Sequence, residues 1–295
     1  MIESDSPTAP SPPPRFGVCE FSTPDLDLEA DLPLYAAVGA TAFSPIETKV
    51  RAQGLDRSRR LIEASGLAVS HGMPAMISVL PHAVYSPQPL DLEARLASLL
   101  EAVDLFAALG ARSMNCIAGT LTAGAEGRLR PRLVEGLRRL CERAGERGLA
   151  IGYEVVRSPS ITNLEEAEAL LAEVASDRLG LVVDPWHLWD VPGYPQGLRR
   201  FAGRLVSVQL SDSRKNPRSL QDRRLPGEGE GRLPELLRLT RELGYDGWYD
   251  LEIISDDGRS GHDFPDSLWK LRPEVFLQRA RARFDAVWQE SLRTD

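Results

Sequence analysis

Short apolar runs alternate along most of the chain with longer stretches in which leucine returns every three or four residues. The runs 16-FGVCEF-21, 42-AFSPIE-47, 67-LAVSHG-72, 113-SMNCIAG-119, 149-LAIGYEVV-156, 179-LGLVVD-184, 204-RLVSVQL-210 and 248-WYDLEII-254 predict β-strands. They read as continuous apolar segments, as strands buried on both faces do. Residues 91–110, 131–148, 164–176 and 233–244 carry the helical period, and several of these stretches end on glycine. About eight strands alternating with helices, over about 270 residues, predict an α/β chain folded as a closed (β/α)₈ barrel rather than an open doubly wound sheet. No GxGxxG opens the first unit, which removes the main sign of a dinucleotide-binding sheet. The opening MIESDSPTAPSPPP reads as a disordered tail over 1–14, with a single barrel domain over 15–292. Within 264–292 a long closing helix is expected as a C-terminal extension.

Composition narrows the partners. The chain has 295 residues, 42% of them hydrophobic, and a formal net charge of −8. That balance disfavours nucleic acid or an anionic membrane as the main partner, since both reward a basic face. Cys19, Cys116 and Cys141 show no paired spacing, so a reducing, cytoplasmic setting is expected in place of a disulfide framework. The acidic start lacks the basic and apolar regions of a signal peptide. No apolar run reaches the roughly 20 residues of a membrane helix.

Barrel chemistry sits at the carboxyl ends of the strands. The fifth strand carries Glu154 there, the sixth ends on Asp184, the seventh carries Gln209 and then Asp212, and the eighth carries Glu252. Neighbouring strands lie about 4.8 Å apart, so these oxygen donors can converge. Three carboxylates brought together repel one another and raise each other's pKa values. A hard divalent cation such as Mg²⁺ or Mn²⁺ relieves the repulsion, and a glutamine carbonyl serves as a further ligand. His187, three residues beyond Asp184, falls at the mouth, where it would meet substrate or shuttle a proton. Asp212 stands either behind the ligands or as the cap of the next loop.

This arrangement resembles the xylose isomerase-like TIM barrels, the sugar phosphate isomerase/epimerase group, including its IolE-like branch. The group also holds inosose dehydratase, tagatose/psicose 3-epimerases, 3-dehydroshikimate dehydratase and the type IV AP endonucleases. Its pattern is Glu on strand five, Asp-x-x-His on strand six, His-x-x-Asp on strand seven, a Gly-Glu-Gly loop and Glu on strand eight. Here these are Glu154, Asp184 with His187, Gln209 with Asp212, 224-RLPGEG-229 and Glu252. The resemblance implies a metal held by Glu154, Asp184, Gln209 and Glu252. It also implies Glu154 and Glu252 as the acid/base pair, with a metal-stabilised enediolate between them. Arg224 is then the substrate-orienting arginine, and His71, at the end of strand three, a further substrate contact. Glutamine at the strand-seven place, commonly histidine, looks like some bacterial 3-dehydroshikimate dehydratases. It makes the site all-oxygen, favouring Mg²⁺ or Mn²⁺ over Zn²⁺.

The implied function is a metal-dependent isomerase or epimerase of a keto sugar, sugar phosphate or cyclitol. The alternative is a lyase of the same family, dehydrating an inosose- or dehydroshikimate-like hydroxyketone. A non-catalytic sugar-binding member stands behind these. A Schiff-base aldolase is disfavoured because, of Lys49, Lys215 and Lys270, only Lys49 lies near a strand end. An AP-site nuclease is disfavoured by the four histidines and the acidic charge. Trp186, Trp189 and Trp269 are read as exposed, serving either a homo-oligomer face or substrate contact.

Overall fold

The computed structural model describes residues 14–121, 124, 126–157 and 163–293. The tail expected over 1–14 lies outside them except for Pro14. The strands are β1 (Phe16–Cys19), β2 (Ala42–Ser44), β3 (Ala68–Val69 and His71–Gly72, broken at Ser70), β4 (Ser113–Cys116), β5 (Ala150–Glu154), β6 (Leu179–Val183), β7 (Leu205–Leu210) and β8 (Tyr249–Leu251). All eight predicted strands are present, each trimmed by one to four residues. They form one parallel sheet in the order β3-β2-β1-β8-β7-β6-β5-β4, with the second piece of β3 against β4. The two pieces of β3 bring the ring round on itself, so the sheet is a nearly closed barrel, with Phe16 paired to Tyr249 where β1 meets β8.

The strands are buried on both faces, as expected, but in β1, β4 and β5 the two faces differ in chemistry. Phe16, Val18, Met114, Cys116, Ile151 and Tyr153 face the helices and join the hydrophobic core. The residues between them face inward and are small or polar. Ser70 donates to Asp250 across the barrel at 2.9 Å, His71 meets Ser113 at 2.7 Å, and Asn115 donates to Glu154 at 2.7 Å. Small inward residues such as Gly17, Cys19 and Gly152 disguise the two-residue period as one apolar run. Gly17 is required by space: a Cβ there would lie 2.0 Å from the Asp250 carboxylate and 3.4 Å from the Ala42 carbonyl. Gly17→Ala should therefore cost about 1–3 kcal/mol of stability. A lowered urea midpoint checks this, and an unchanged midpoint contradicts the packing.

Helices α1 (Leu28–Ala37), α2 (Glu47–Gln53), α3 (Leu55–Ser65), α4 (Leu92–Ala108), α5 (Glu126–Arg147), α6 (Leu164–Val174), α7 (Pro185–Leu188), α8 (Leu233–Glu242) and α9 (Pro273–Ser291) clothe the sheet. Asp27, Asp91 and Asn163 each accept a backbone N–H at the start of α1, α4 and α6. Helix α5 begins five residues before the predicted Pro131, which sits inside it. The closing helix is α9, and it packs between α8 and α1 as a member of the ring. Its Phe276, Leu277, Ala280, Phe284, Val287 and Trp288 are buried. No helix among the described residues is long and apolar enough to cross a membrane. The three cysteines are free and buried.

Candidate active site

Four strand ends bring Glu154, Asp184, Gln209 and Glu252 to one rim of the barrel, and all four are buried. The local sequence explains how Asp184 is held. It precedes Pro185, which keeps it extended, and it is the N-cap of α7. Its Oδ1 accepts from the Trp186 backbone at 2.9 Å, and its Oδ2 faces the site. Glu154 is steadied by Asn115. Glu252 lies beside Gln209, whose amide donates to Oε1 at 3.3 Å, and beside the Cys19 thiol at 3.9 Å.

The link between Asp184 and Glu252 is Arg223. A short antiparallel ribbon pairs Asp212–Ser213 with Arg223–Arg224. Adjacent side chains on such a ribbon point to opposite faces, so only one of the two arginines can enter. It is Arg223, 4% exposed. Its Nη1 donates to Asp184 Oδ2 at 2.8 Å, Glu252 Oε2 at 2.9 Å, Ser211 Oγ at 3.1 Å and the Glu252 carbonyl at 3.3 Å. The Trp186 ring lies 5.3 Å from the guanidinium. Arg224 points away, 30% exposed, with Glu228 and Asp266 at 3.6 and 3.7 Å. Arg224, the arginine that the resemblance implies for orienting substrate, is therefore not the one brought to the carboxylates. The two-residue alternation of an extended ribbon was the signal for its neighbour.

Asp212 caps the loop. Its Oδ1 accepts from Ser213 at 2.9 Å and from Gly231 at 2.7 Å. The Pro-Gly-Glu-Gly turn folds tightly over it, and a Cβ on Gly229 would lie 2.2 Å from the Ser213 carbonyl. That clasp holds the ribbon that delivers Arg223.

His187 faces the cluster through Nε2, 3.6 Å from Glu154 Oε1 and 3.8 Å from Asp184 Oδ2. Ligating atoms of Glu154, Asp184 and His187 lie within 4.8 Å of one another. The His187 Nδ1, however, accepts the Arg157 backbone N–H at 3.0 Å. In the neutral ring the hydrogen is then on Nε2, which makes His187 a donor toward the site. Burial holds its pKa down at about 3, so the ring is neutral at physiological pH. Arg157 clamps this corner further, donating to the Trp186 carbonyl at 3.0 Å and to Asp190 at 2.6 Å. His71 sits deeper, at the level of Gly152, bonded to Ser113 and apart from the carboxylates. Trp186, expected to be exposed, is buried, and Trp189 and Trp269 are half-buried. Lys49 is engaged by Asp31 at 2.6 Å and by the Thr23 carbonyl at 3.0 Å.

The electrostatics suit a divalent cation. Burial raises the Glu154 pKa, and nearby Glu252 and Asp184 raise it further. Burial also raises Glu252, where Arg223 opposes the shift and Asp184 adds to it. Ionising all three carboxylates against one guanidinium would leave two negative charges uncompensated. The buried Gln209 Oε1 has no hydrogen-bond partner, an acceptor that a hard cation would satisfy. The donor set therefore fits a divalent cation.

Known proteins place this geometry in context. The chain is similar to a 3-dehydroshikimate dehydratase of Pseudomonas aeruginosa, 29% identical over 153 residues. The match covers 50% of this chain and 24% of that protein, so the chain spans about a quarter of its length. Among solved structures, the IolI protein with a bound zinc atom superposes with a TM-score of 0.77 at 17% identity, covering 95% of this chain and 100% of that one. D-psicose 3-epimerase with D-tagatose, from Clostridium cellulolyticum H10, gives a TM-score of 0.74 at 15% identity, covering 92% and 98%. At such identities these likenesses speak for the fold alone. The sequence profile of the xylose isomerase-like TIM barrel family matches residues 32–277, and the chain belongs to that family.

Proposed function

We propose that this protein is a divalent-metal-dependent enzyme that moves a proton next to the carbonyl of a small hydroxyketone, sugar or cyclitol, yielding an isomer or epimer. The observation that carries the reading is the meeting of Glu154, Asp184, Gln209 and Glu252 at one buried rim, with an acceptor on Gln209 left unpaired. These four residues would hold Mg²⁺ or Mn²⁺. When bound, such an ion supplies Lewis-acid polarisation of a substrate carbonyl. Glu154 and Glu252 reach the mouth from β5 and β8 and form the pair that takes and returns the α-proton. Their raised proton affinity suits general acid–base work near neutral pH. His187 donates from Nε2 to a substrate oxygen. The buried Arg223 carries positive charge beside the place where negative charge develops.

A second reading is a lyase, in which the same proton abstraction is followed by loss of a β-hydroxyl as water. The dehydratase activity of the Pseudomonas aeruginosa relative favours it, as does glutamine at the strand-seven position. One experiment separates the outcomes. A panel of hydroxyketones, with D-tagatose and 3-dehydroshikimate among them, is incubated with Mn²⁺-loaded protein in D₂O. Deuterium in recovered substrate or its epimer supports the isomerase reading, and new ultraviolet absorbance of a conjugated product supports the lyase. Neither signal across the panel counts against both.

A further inference from the structure

Asp184 has no uncommitted oxygen. Oδ1 is taken by the Trp186 N–H and Oδ2 by Arg223. Glu252 is in the same position, with Oε1 against the Gln209 amide and Oε2 against Arg223. A single nitrogen, Arg223 Nη1, thus rests on the two carboxylates that a cation would need, and it also holds Ser211 and the Glu252 carbonyl. The Nε of the same guanidinium is buried with no partner. The hydrogen bonds of Arg223 are therefore one-sided, made through the single NH₂ group of Nη1, at the end of the guanidinium that faces the carboxylates.

We propose that Arg223 is the built-in counter-charge of the cluster, competing with the divalent ion for Asp184 and Glu252 and so lowering its affinity. The inference rests on the metal-site reading above. In the cation-free protein the guanidinium keeps buried carboxylates from facing one another unscreened. When an ion enters, it shares Asp184 Oδ2 and Glu252 Oε2 with a fixed positive charge, which costs Coulomb energy in a buried setting. The loaded site is then close to neutral, with three carboxylates matched by the ion and the guanidinium. Arg223 is a positioning and charge-setting residue here, and its effect is read in metal affinity without any substrate.

The test is calorimetric titration of MnCl₂ into the chelator-treated full chain as wild type, Arg223→Gln and Arg223→Lys. Glutamine removes the charge and keeps a donor, and lysine keeps the charge. The expected result is at least tenfold tighter Mn²⁺ binding by Arg223→Gln, with Arg223→Lys within about threefold of wild type. Arg223→Gln should also show the larger rise in melting temperature on Mn²⁺ addition. Equal or weaker binding by a folded Arg223→Gln protein overturns the inference and leaves the metal site standing. Binding by Arg223→Gln but not by wild type supports the competition and corrects the functional reading. Binding by neither overturns both. Should Arg223→Gln fail to fold, arginine Nε–H resonances of the wild type give an independent answer. The signal absent from Arg223→Lys must shift on saturation with Mg²⁺, and an unmoved signal overturns the proposal.

Discussion

Glu154→Gln should lower α-proton exchange by roughly 10²–10⁴-fold, the range by which positioned acid–base groups accelerate such steps, while the protein stays folded. Glutamine keeps the shape of the side chain and an acceptor for the Asn115 amide, which donates at 2.7 Å. It removes the proton-accepting carboxylate. The substitution should cost little stability because burial and the neighbouring carboxylates already disfavour the charge at this position. A melting temperature equal to or above that of wild type, together with lost exchange, is the expected pair of results. Exchange within about threefold of wild type would remove Glu154 from the proton path.

Arg95→Met should be the most destabilising of the substitutions considered, by about 3–5 kcal/mol, the scale for an uncompensated buried polar network. Arg95 is fully buried at 0% exposure, and among the described residues no carboxylate pairs with it within salt-bridge distance. Its guanidinium ties down the loop between β3 and α4. Nε donates to the Ser78 and Val79 carbonyls at 3.2 Å, Nη1 to the Pro89 carbonyl at 3.0 Å, and Nη2 to the Ser78 and Ser86 hydroxyls at 2.6 and 2.9 Å. Methionine fills much of the volume but leaves those buried carbonyls without their donors, at about 1–3 kcal/mol for each group left unpaired. The same loop carries Tyr85, stacked on His82 with ring centroids 4.8 Å apart. Urea denaturation measures the loss, and a change below about 1 kcal/mol would show that the loop does not depend on this anchor.

The strand ends were the legible part of the molecule. Short, mostly apolar segments of six to eight residues mark where each strand lies, and the acid or amide at the end of each later strand marks the rim. Glu154, Asp184, Gln209 and Glu252 are therefore legible as candidates from their places at successive strand ends, and the structure brings them to one buried rim. What spacing hid has physical causes. Inward glycine and cysteine look apolar in sequence, so the bonding of Ser70 to Asp250 and of His71 to Ser113 inside the barrel has no local signature. Arg223 and Arg224 are chemically identical neighbours, and only the pleat of the ribbon decides which is buried. Asn115, inside β4, orients Glu154, a role no motif in the sequence marks. The β3–α4 loop is organised by an arginine 17 residues from Ser78 in sequence, and no local pattern announces such a contact. Pro33 within α1 breaks the helical pattern in sequence, and α5 begins before Pro131 although proline so often opens a helix.

The central claim is a divalent-cation site built from four strand ends, and Mn²⁺ titration into chelator-treated wild type beside Glu252→Ala tests it most directly. Glu252 is the choice because it touches both Gln209 and Arg223, so its loss opens the cluster without disturbing the Asp184 cap. One Mn²⁺ per chain is expected in wild type, with affinity at least 10-fold weaker in the variant, the scale on which metal-site partners act. Wild type that binds no ion, or a folded variant that binds as tightly as wild type, would contradict it.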